Sequence, residues 1–291
     1  MGRIVGYIIF GLFSLLSLCV GIASLIDGFT GIGDVTSVSG KLEIVAPATD
    51  NALGLTDMGP VIFREAEMYQ YVIEKTSETV DGDTKDFRYL GEAFEKEPMG
   101  EFKTYPTLRD AKSLFGKEKK YVNPEFPPEF LNINNYGSSV IAGDVEIDGV
   151  RLDVSILRLF NGEGFGMEDS TVAAYKTPEN AGAAYGLKYL GDGVYASKDN
   201  ENWEVGDLRV SYRVADPEIL AREYTAVGVL NEDGVLCCDE EYGALYDSVV
   251  SMDEINHDFK SKQLKDGVLF ILLAIGLAVG GFFITNFLCD G

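Results

Sequence analysis

Glu65 and Glu67 stand two apart in the run from Val61 to Thr76 (VIFREAEMYQYVIEKT). On a strand both carboxylates face one side, close enough to share a proton or a cation. Shared-proton chemistry needs a pocket around the pair. In a chain this acidic, the competing reading is a solvated sheet edge. Cys237 and Cys238, with His257 the only histidine, would supply a thiol nucleophile and a base if the fold brought them together. The same inventory has no C-x-x-C, so no structural zinc site is expected. Asp81-Gly-Asp83 and Asp199-Asn-Glu201-Asn202 carry fragments of a calcium loop, without that loop's 12-residue spacing of a glycine at the sixth position and a glutamate at the twelfth. Gly162-Glu-Gly164-Phe-Gly166 runs into Met-Glu-Asp, whose charge opposes a phosphate, so a turn is expected there. There is no G-x-S-x-G, P-loop, dinucleotide fingerprint or H-E-x-x-H. No catalytic, metal-binding or cofactor-binding residue is therefore assigned.

The elements that would position these side chains begin with the chain ends. Residues 4–26 contain no charge, and neither do residues 267–289. As helices of about 1.5 Å per residue, each run spans the roughly 30 Å hydrocarbon core of a bilayer. The first run is longer than a signal-peptide core, and Leu18 before Cys19 does not suit a lipoprotein site. Both are read as transmembrane helices. Gly276 and Gly280 form a G-x-x-x-G in the second run, and Ser17 and Gly21 offer a small-residue face in the first. Either would let helices approach closely, within one chain or between chains.

The middle carries the charge. Of 24 basic and 47 acidic residues, all but Arg3 and Asp290 lie between Asp27 and Asp266, so the whole net charge of −23 sits there. Such a surface repels nucleic acid and anionic headgroups, which excludes nucleic acid as a partner. Adjacent Cys237 and Cys238 do not make a disulfide framework, and the absence of an N-x-S/T sequon favours a prokaryotic source. Arg3 favours a cytoplasmic N-terminus, while Lys260, Lys262 and Lys265 favour the opposite. Because the first helix usually dominates, the large domain is placed outside the cytoplasm.

Within the middle, Gly28 to Gly40 reads as a linker, followed by a short strand over Lys41–Ala46. Val61–Thr76 reads as a strand, Asp81 to Asp86 as a charged turn, and Phe87–Leu90 as the return of a hairpin. Glu92 to Lys120 reads as irregular, with a short helix near Leu108–Leu114. The three prolines between Tyr121 and Phe130 give a surface crossing. Val140–Ile147 and Arg151–Leu159 would pair around Asp148-Gly149. Thr171–Tyr175, Leu187–Leu190 and Gly193–Ala196 are further strand candidates. Leu208–Val214 alternates cleanly, and Tyr224–Leu230 and Val235–Cys237 flank a turn at Asn231–Gly234. Leu245, Val249, Met252, Ile255 and Phe259 recur at helical spacing, predicting an amphipathic juxtamembrane helix over residues 242–265. The expected architecture is thus a membrane protein: transmembrane helices at 4–26 and 267–289, flanking a β-rich α+β extracytoplasmic domain at 27–241.

The stretch Arg64-Glu-Ala-Glu67-Met68-Tyr69-Gln70-Tyr71 resembles the most recognisable motif of the transmembrane protein 43 (LUMA) family. Trp203-Glu-Val-Gly206-Asp207-Leu-Arg209-Val-Ser-Tyr-Arg213 is similar to that family's late signature, and Asn123-Pro124 with Gly143 also fits. In order and spacing the resemblance runs from about residue 4 to residue 288. One departure is that this chain stops two residues after its second apolar run, where relatives of the human protein carry several more spans. The resemblance implies motif residues Arg64, Glu67, Met68, Tyr69, Gln70, Gly206, Asp207 and Arg209, with structural or interaction roles. It also implies self-association and a non-catalytic scaffolding role beside a lipid bilayer, with itself or other membrane proteins as partners. In a bacterium the location would be the cell membrane, and in a eukaryote the endoplasmic reticulum or nuclear envelope. The alternatives are a membrane-bound hydrolase using the acidic or Cys/His residues, or an accessory subunit of a transport or secretion complex.

Overall fold

The computed structural model describes residues 2–30, 35–80, 83–130, 139–161, 167–175, 180–199, 202–238 and 242–289. Outside them fall the Gly162–Gly166 turn, two residues each of the Asp81–Asp86 turn and the Asp199–Asn202 segment, and part of the Gly28–Gly40 linker.

In chain order the elements are α1 (Gly2–Thr30), β1 (Thr36–Ala46), β2 (Val61–Val80), β3 (Asp83–Glu95), β4 (Glu101–Thr104), α2 (Leu108–Lys112) and β5 (Lys119–Val122). There follow β6 (Ser139–Ala142), β7 (Asp144–Ile147), β8 (Val150–Arg151), α3 (Val154–Leu157), β9 (Met167–Glu168), β10 (Lys188–Gly191) and β11 (Val194–Ala196). The last are β12 (Leu208–Ala215), β13 (Glu223–Leu230), β14 (Leu236–Cys237), β15 (Ala244–Tyr246) and α4 (Met252–Cys289). They build a six-stranded sheet ordered β14-β13-β1-β7-β8, with β15 on β13. A seven-stranded sheet is ordered β10-β11-β12-β2-β3, with β6 on β2 and β9 on β12. β4 and β5 form a ribbon of their own.

β2 is the strand the two halves share. Its alternation sends Ile62, Ala66 and Met68 into one core, with Leu208, Val210, Tyr212 and Val214 of β12 and with Leu55 and Met58 of the preceding loop. Val61 and Phe63 point the other way, into a second core built from β7, β13, β14 and α3. One strand thus reads as apolar on both faces at its start and on one face further along.

The domain is fastened to α4 through Thr225 of β13. This buried hydroxyl donates to the Ser248 carbonyl (2.9 Å) and accepts from the Val250 amide (2.9 Å). Ser251 then caps α4 reciprocally with Glu254: the Glu254 amide donates to Ser251 Oγ at 3.2 Å, and the Ser251 amide donates to Glu254 Oε2 at 3.3 Å. A small third core, Val227 against Ile255 with Tyr242 and Phe259 beside it, seats the base of α4 on the sheet.

α1 and α4 pack as an antiparallel pair. A Cβ on Gly21 would lie 3.0 Å from the Gly267 carbonyl oxygen, and one on Gly267 would lie 3.0 Å from that of Gly21. Ser14 Oγ donates to the Ala274 carbonyl at 2.8 Å. The close approach therefore lies at Gly21 and Gly267. Gly276 and Gly280 face open space, with nothing within 4 Å, so the G-x-x-x-G does not form the seam within the chain.

Other expectations are also corrected. Residues 242–251 are not helical: Ala244–Tyr246 pairs with β13, and α4 begins only at Met252, after the serine cap. Leu245 and Ile255 are buried in different cores, so a stripe that matches helical spacing is divided between a strand and a helix. Thr171–Tyr175 is a 3-10 turn over Ser170–Ala174, stopped where Tyr175 Oη donates to the Ala215 carbonyl (2.6 Å). Arg151–Leu159 leaves its strand after two residues, because Asp153 accepts from the Ser155 amide and starts α3. Glu92–Lys120 is more ordered than expected, with β3 running to Glu95 and β4 paired with β5.

Because Gly267 touches backbone, Gly267→Leu is expected to destabilise the helix pair by about 1–3 kcal/mol through overpacking. Gly276→Leu should change stability by less than about 0.5 kcal/mol. Denaturant unfolding in detergent, followed by helical circular dichroism, checks both.

Candidate functional site

The inward row of β2 also carries polar residues, Arg64 between Ile62 and Ala66 and Gln70 beyond Met68. Arg64 and Asp50 are 6% and 2% exposed, yet both are charged residues in an apolar core. Arg64 Nη1 lies 3.1 Å from Asp50 Oδ1 and 3.0 Å from Oδ2, and its Nη2 donates to the Glu129 carbonyl at 2.6 Å. Tyr212 Oη donates to Asp50 Oδ2 at 2.5 Å, and the Ala52 amide donates to Oδ1 at 2.9 Å. The Phe130 ring lies 5.5 Å below the guanidinium carbon. Arg64 Nε has no hydrogen-bond partner among the described residues. A buried ion pair is tolerated only where other hydrogen bonds complete it, and here they arrive from three separate segments, at Ala52, Glu129 and Tyr212.

Two amides continue this work along the same strand. Gln70, fully buried, donates to the Glu97 carbonyl (2.9 Å) and accepts from the Met99 amide (2.9 Å), tying down the chain after β3. On the opposite edge, Asn123 Oδ1 accepts from the Tyr71 amide (2.7 Å) and its Nδ2 donates to the Tyr71 carbonyl (3.0 Å). That side chain stands in for a strand residue. Just before it, the Tyr69 amide donates to the Asp207 carbonyl and the Gly206 amide donates to the Tyr69 carbonyl, both at 2.8 Å. The two motifs singled out in the sequence therefore meet edge to edge, with Met68 opposite Leu208 and Glu67 opposite Arg209.

Their outward residues form a charged and aromatic face. Arg209 Nε and Nη2 lie 2.8 and 2.6 Å from Glu67 Oε2, and the guanidinium sits 4.1 Å from the Phe94 ring centroid. Phe94 in turn meets Tyr69 and Trp203 edge-on, at 5.2 and 4.9 Å. Glu65 pairs with Lys96 at 2.6 Å. Each carboxylate thus has its own cation. Beside them runs an open groove of about 570 Å³, lined by Glu65, Glu67, Asp192, Trp203, Arg209 and Ser211. A neighbouring cleft of about 230 Å³ holds Asp169 and Arg213. Burial outweighs Arg213 there and, with Asp192 and Glu65 nearby, raises the Asp169 carboxyl.

The remaining candidates lie apart from this face. Cys237 is on β14 of the other sheet, where burial and the Asp153 carboxylate push its thiol up, away from the reactive thiolate. Cys238 lies beside it, its amide donating to Ser155 Oγ. His257 is on α4, with its side chain 81% exposed and Asp258 at 3.5 Å. Among the described residues no three His, Cys, Asp or Glu side chains are grouped to hold a metal ion. Asp50, Tyr212 and Asn123 complete the motif without having been expected as its partners. Tyr212 and Asn123 stand in stretches singled out above, whereas Asp50 carries no cue in the sequence.

The tyrosines of the first core set an alkaline limit. Burial, aided by Asp216, pushes Tyr175 up to about 12; burial and Tyr189 do the same for Tyr195, and burial with Asp50 takes Tyr212 well above its usual 10.0. Their folded values lie above their unfolded ones, so their contribution is fully present below pH 10 and is lost as pH rises through about 12. Stability measured by denaturant titration should fall across that window. In Tyr195→Phe the fall should be shallower.

A family model described as transmembrane protein 43 matches residues 132–288, just over half of the chain. The matched part contains Gly206, Asp207 and Arg209 but stops short of Arg64–Gln70, and so is narrower than the span read from the sequence. No curated protein and no solved structure matches the chain. The chain belongs to the transmembrane protein 43 family.

Proposed function

We propose that this is a two-pass membrane protein whose acidic β-rich domain stands outside the cytoplasm as a non-catalytic scaffold for membrane-associated assemblies. The observation that carries the reading is the arrangement of the terminal helix pair. Small residues, Gly21, Gly267 and Ala274, make the seam. Leu12, Phe13, Leu15 and Leu16 on α1, and Leu269, Leu272 and Ile275 on α4, are turned outward. A water-soluble helix pair would bury those side chains in its seam; a pair solvated by lipid tails has no reason to. Neither apolar run contains an Asp, Glu, Lys, Arg or His, so one chain supplies no ion path of its own.

The scaffold role draws on how the motif residues are used. Arg64, Gln70, Gly206 and Asp207 are engaged in joining segments of the fold, and Glu67 and Arg209 are engaged with each other. What they leave on the surface is a firm charged and aromatic face suited to contact with protein. Placement outside the cytoplasm rests on the dominance of the first helix. Partners in this reading are further copies of the chain or other membrane proteins.

The full chain should stay with membranes through alkaline carbonate washing. In mild detergent it should show a native mass of two or more copies, or of a complex with other membrane proteins. Release by carbonate would defeat the anchoring, and a lone monomer would defeat the scaffold role.

A further inference from the structure

Between β4 and β5 the chain makes an excursion whose charge is opposite to that of the protein. From Lys103 to Lys120 there are six basic residues and two acidic ones, in a chain of net charge −23. Its tip carries Leu114 and Phe115, which are 98% and 89% exposed. Two adjacent large apolar side chains held wholly in water are costly, and they are the most exposed outside the terminal helices.

The exposure is built in. Thr107 caps α2, accepting from the Asp110 amide at 3.1 Å. The Ser113 amide donates to the Asp110 carbonyl, the Phe115 amide to Ser113 Oγ, and the Gly116 amide to the Ser113 carbonyl, at 3.1, 3.2 and 3.1 Å. Leu114 and Phe115 are the two central residues of that closed turn. Gly116 is required, because a Cβ there would sit 1.9 Å from the Asp110 carbonyl oxygen. The base is equally firm. Lys112 pairs with Glu78 and lies 5.5 Å over the Phe87 ring, Lys120 pairs with Glu101 at 2.6 Å, and the Tyr121 ring packs 5.3 Å from that of Tyr71. Lys117 and Lys119, which follow the apolar tip on either side of Glu118, have no carboxylate partner among the described residues.

We infer that the Ser113–Lys120 turn is a membrane-docking finger: Leu114 and Phe115 enter the interfacial layer of an anionic phospholipid surface while Lys117 and Lys119 meet its headgroups. Apolar insertion and lysine attraction are each weak alone and suffice together. The acidity of the rest of the chain does not prevent this, because charges farther than about 8 Å are screened at physiological salt. The contact is separate from the two terminal helices and adds to whatever they do.

The test uses Phe115→Trp in the full chain, held in phosphatidylcholine nanodiscs so that α1 and α4 are already covered. Vesicles with brominated acyl chains are added, made either of phosphatidylcholine alone or with phosphatidylglycerol. The expected result is a blue shift and quenching of the new emission with the phosphatidylglycerol vesicles. Wild type, whose only tryptophan is Trp203, should show no change. Adding Lys117→Glu and Lys119→Glu should weaken the response at least about thirtyfold. No response to either vesicle overturns the inference, as does an equal response to both. A shift that grows with protein concentration in the absence of vesicles also overturns it, in favour of docking between copies. Failure here leaves the proposed anchoring by the terminal helices untouched.

Discussion

A guanidinium cannot stay in an apolar core without a carboxylate beside it, and most of this domain's architecture satisfies that requirement for Arg64. Asp50 must be brought in from the loop before β2, which folds over the sheet and is closed by hydrogen bonds between Asp50 and Leu55 and between Ala48 and Gly59. Tyr212 must arrive from β12, and the Glu129 carbonyl from the turn ahead of Phe130. Removing one member leaves the others buried and unpaired, the costly case for interior charges. The apolar side chains of the first core drive collapse; the polar group at its centre selects which segments collapse against which.

The same logic extends along β2. Gln70 and Asn123 use side-chain amides to complete backbone that no neighbouring strand reaches, and Gly206-Asp207 closes the remaining edge at Tyr69. β2 can therefore be long without presenting unpaired amides along its central part. Its start also belongs to the second core, which β13 shares, and Thr225 on the other side of β13 leads into α4. A continuous set of packed elements connects the motif strand to the apolar helix pair, so the domain is held at a definite place above the pair.

Much of this was legible in the residues and some of it was not. Leu208–Val214 alternates because one face of β12 meets a core and the other meets solvent, and that pattern survives in the sequence unaltered. The turn at Asn231–Gly234 is equally plain, its geometry held by Asn231 Oδ1. Arg64 could be recognised as special, but Asp50 lies fourteen residues away across a loop without periodicity, and nothing local marks it as a partner. Thr171–Tyr175 has strand composition, yet Val172 enters the first core from a 3-10 turn; packing overrode propensity. Gly276 and Gly280 stood out as a motif and Gly21 as part of a small-residue face, but Gly267, which Gly21 touches, lies on the other helix at no spacing that could be counted from it. The outward face shows the same limit: the two glutamates were visible, and the cations that occupy them, Lys96 and Arg209, come from elsewhere in the chain.

A charged motif used to hold strands together behaves differently from one used for chemistry, and the difference is measurable in the folded state without a substrate. A double-mutant cycle on Asp50→Asn and Arg64→Met, read by denaturant unfolding of the full chain in detergent, tests this most directly. The account predicts that each single change costs about 3–5 kcal/mol and that the pair together costs less than the sum by a coupling of roughly 1–3 kcal/mol. Additive effects, or single changes that leave stability where it was, would contradict it.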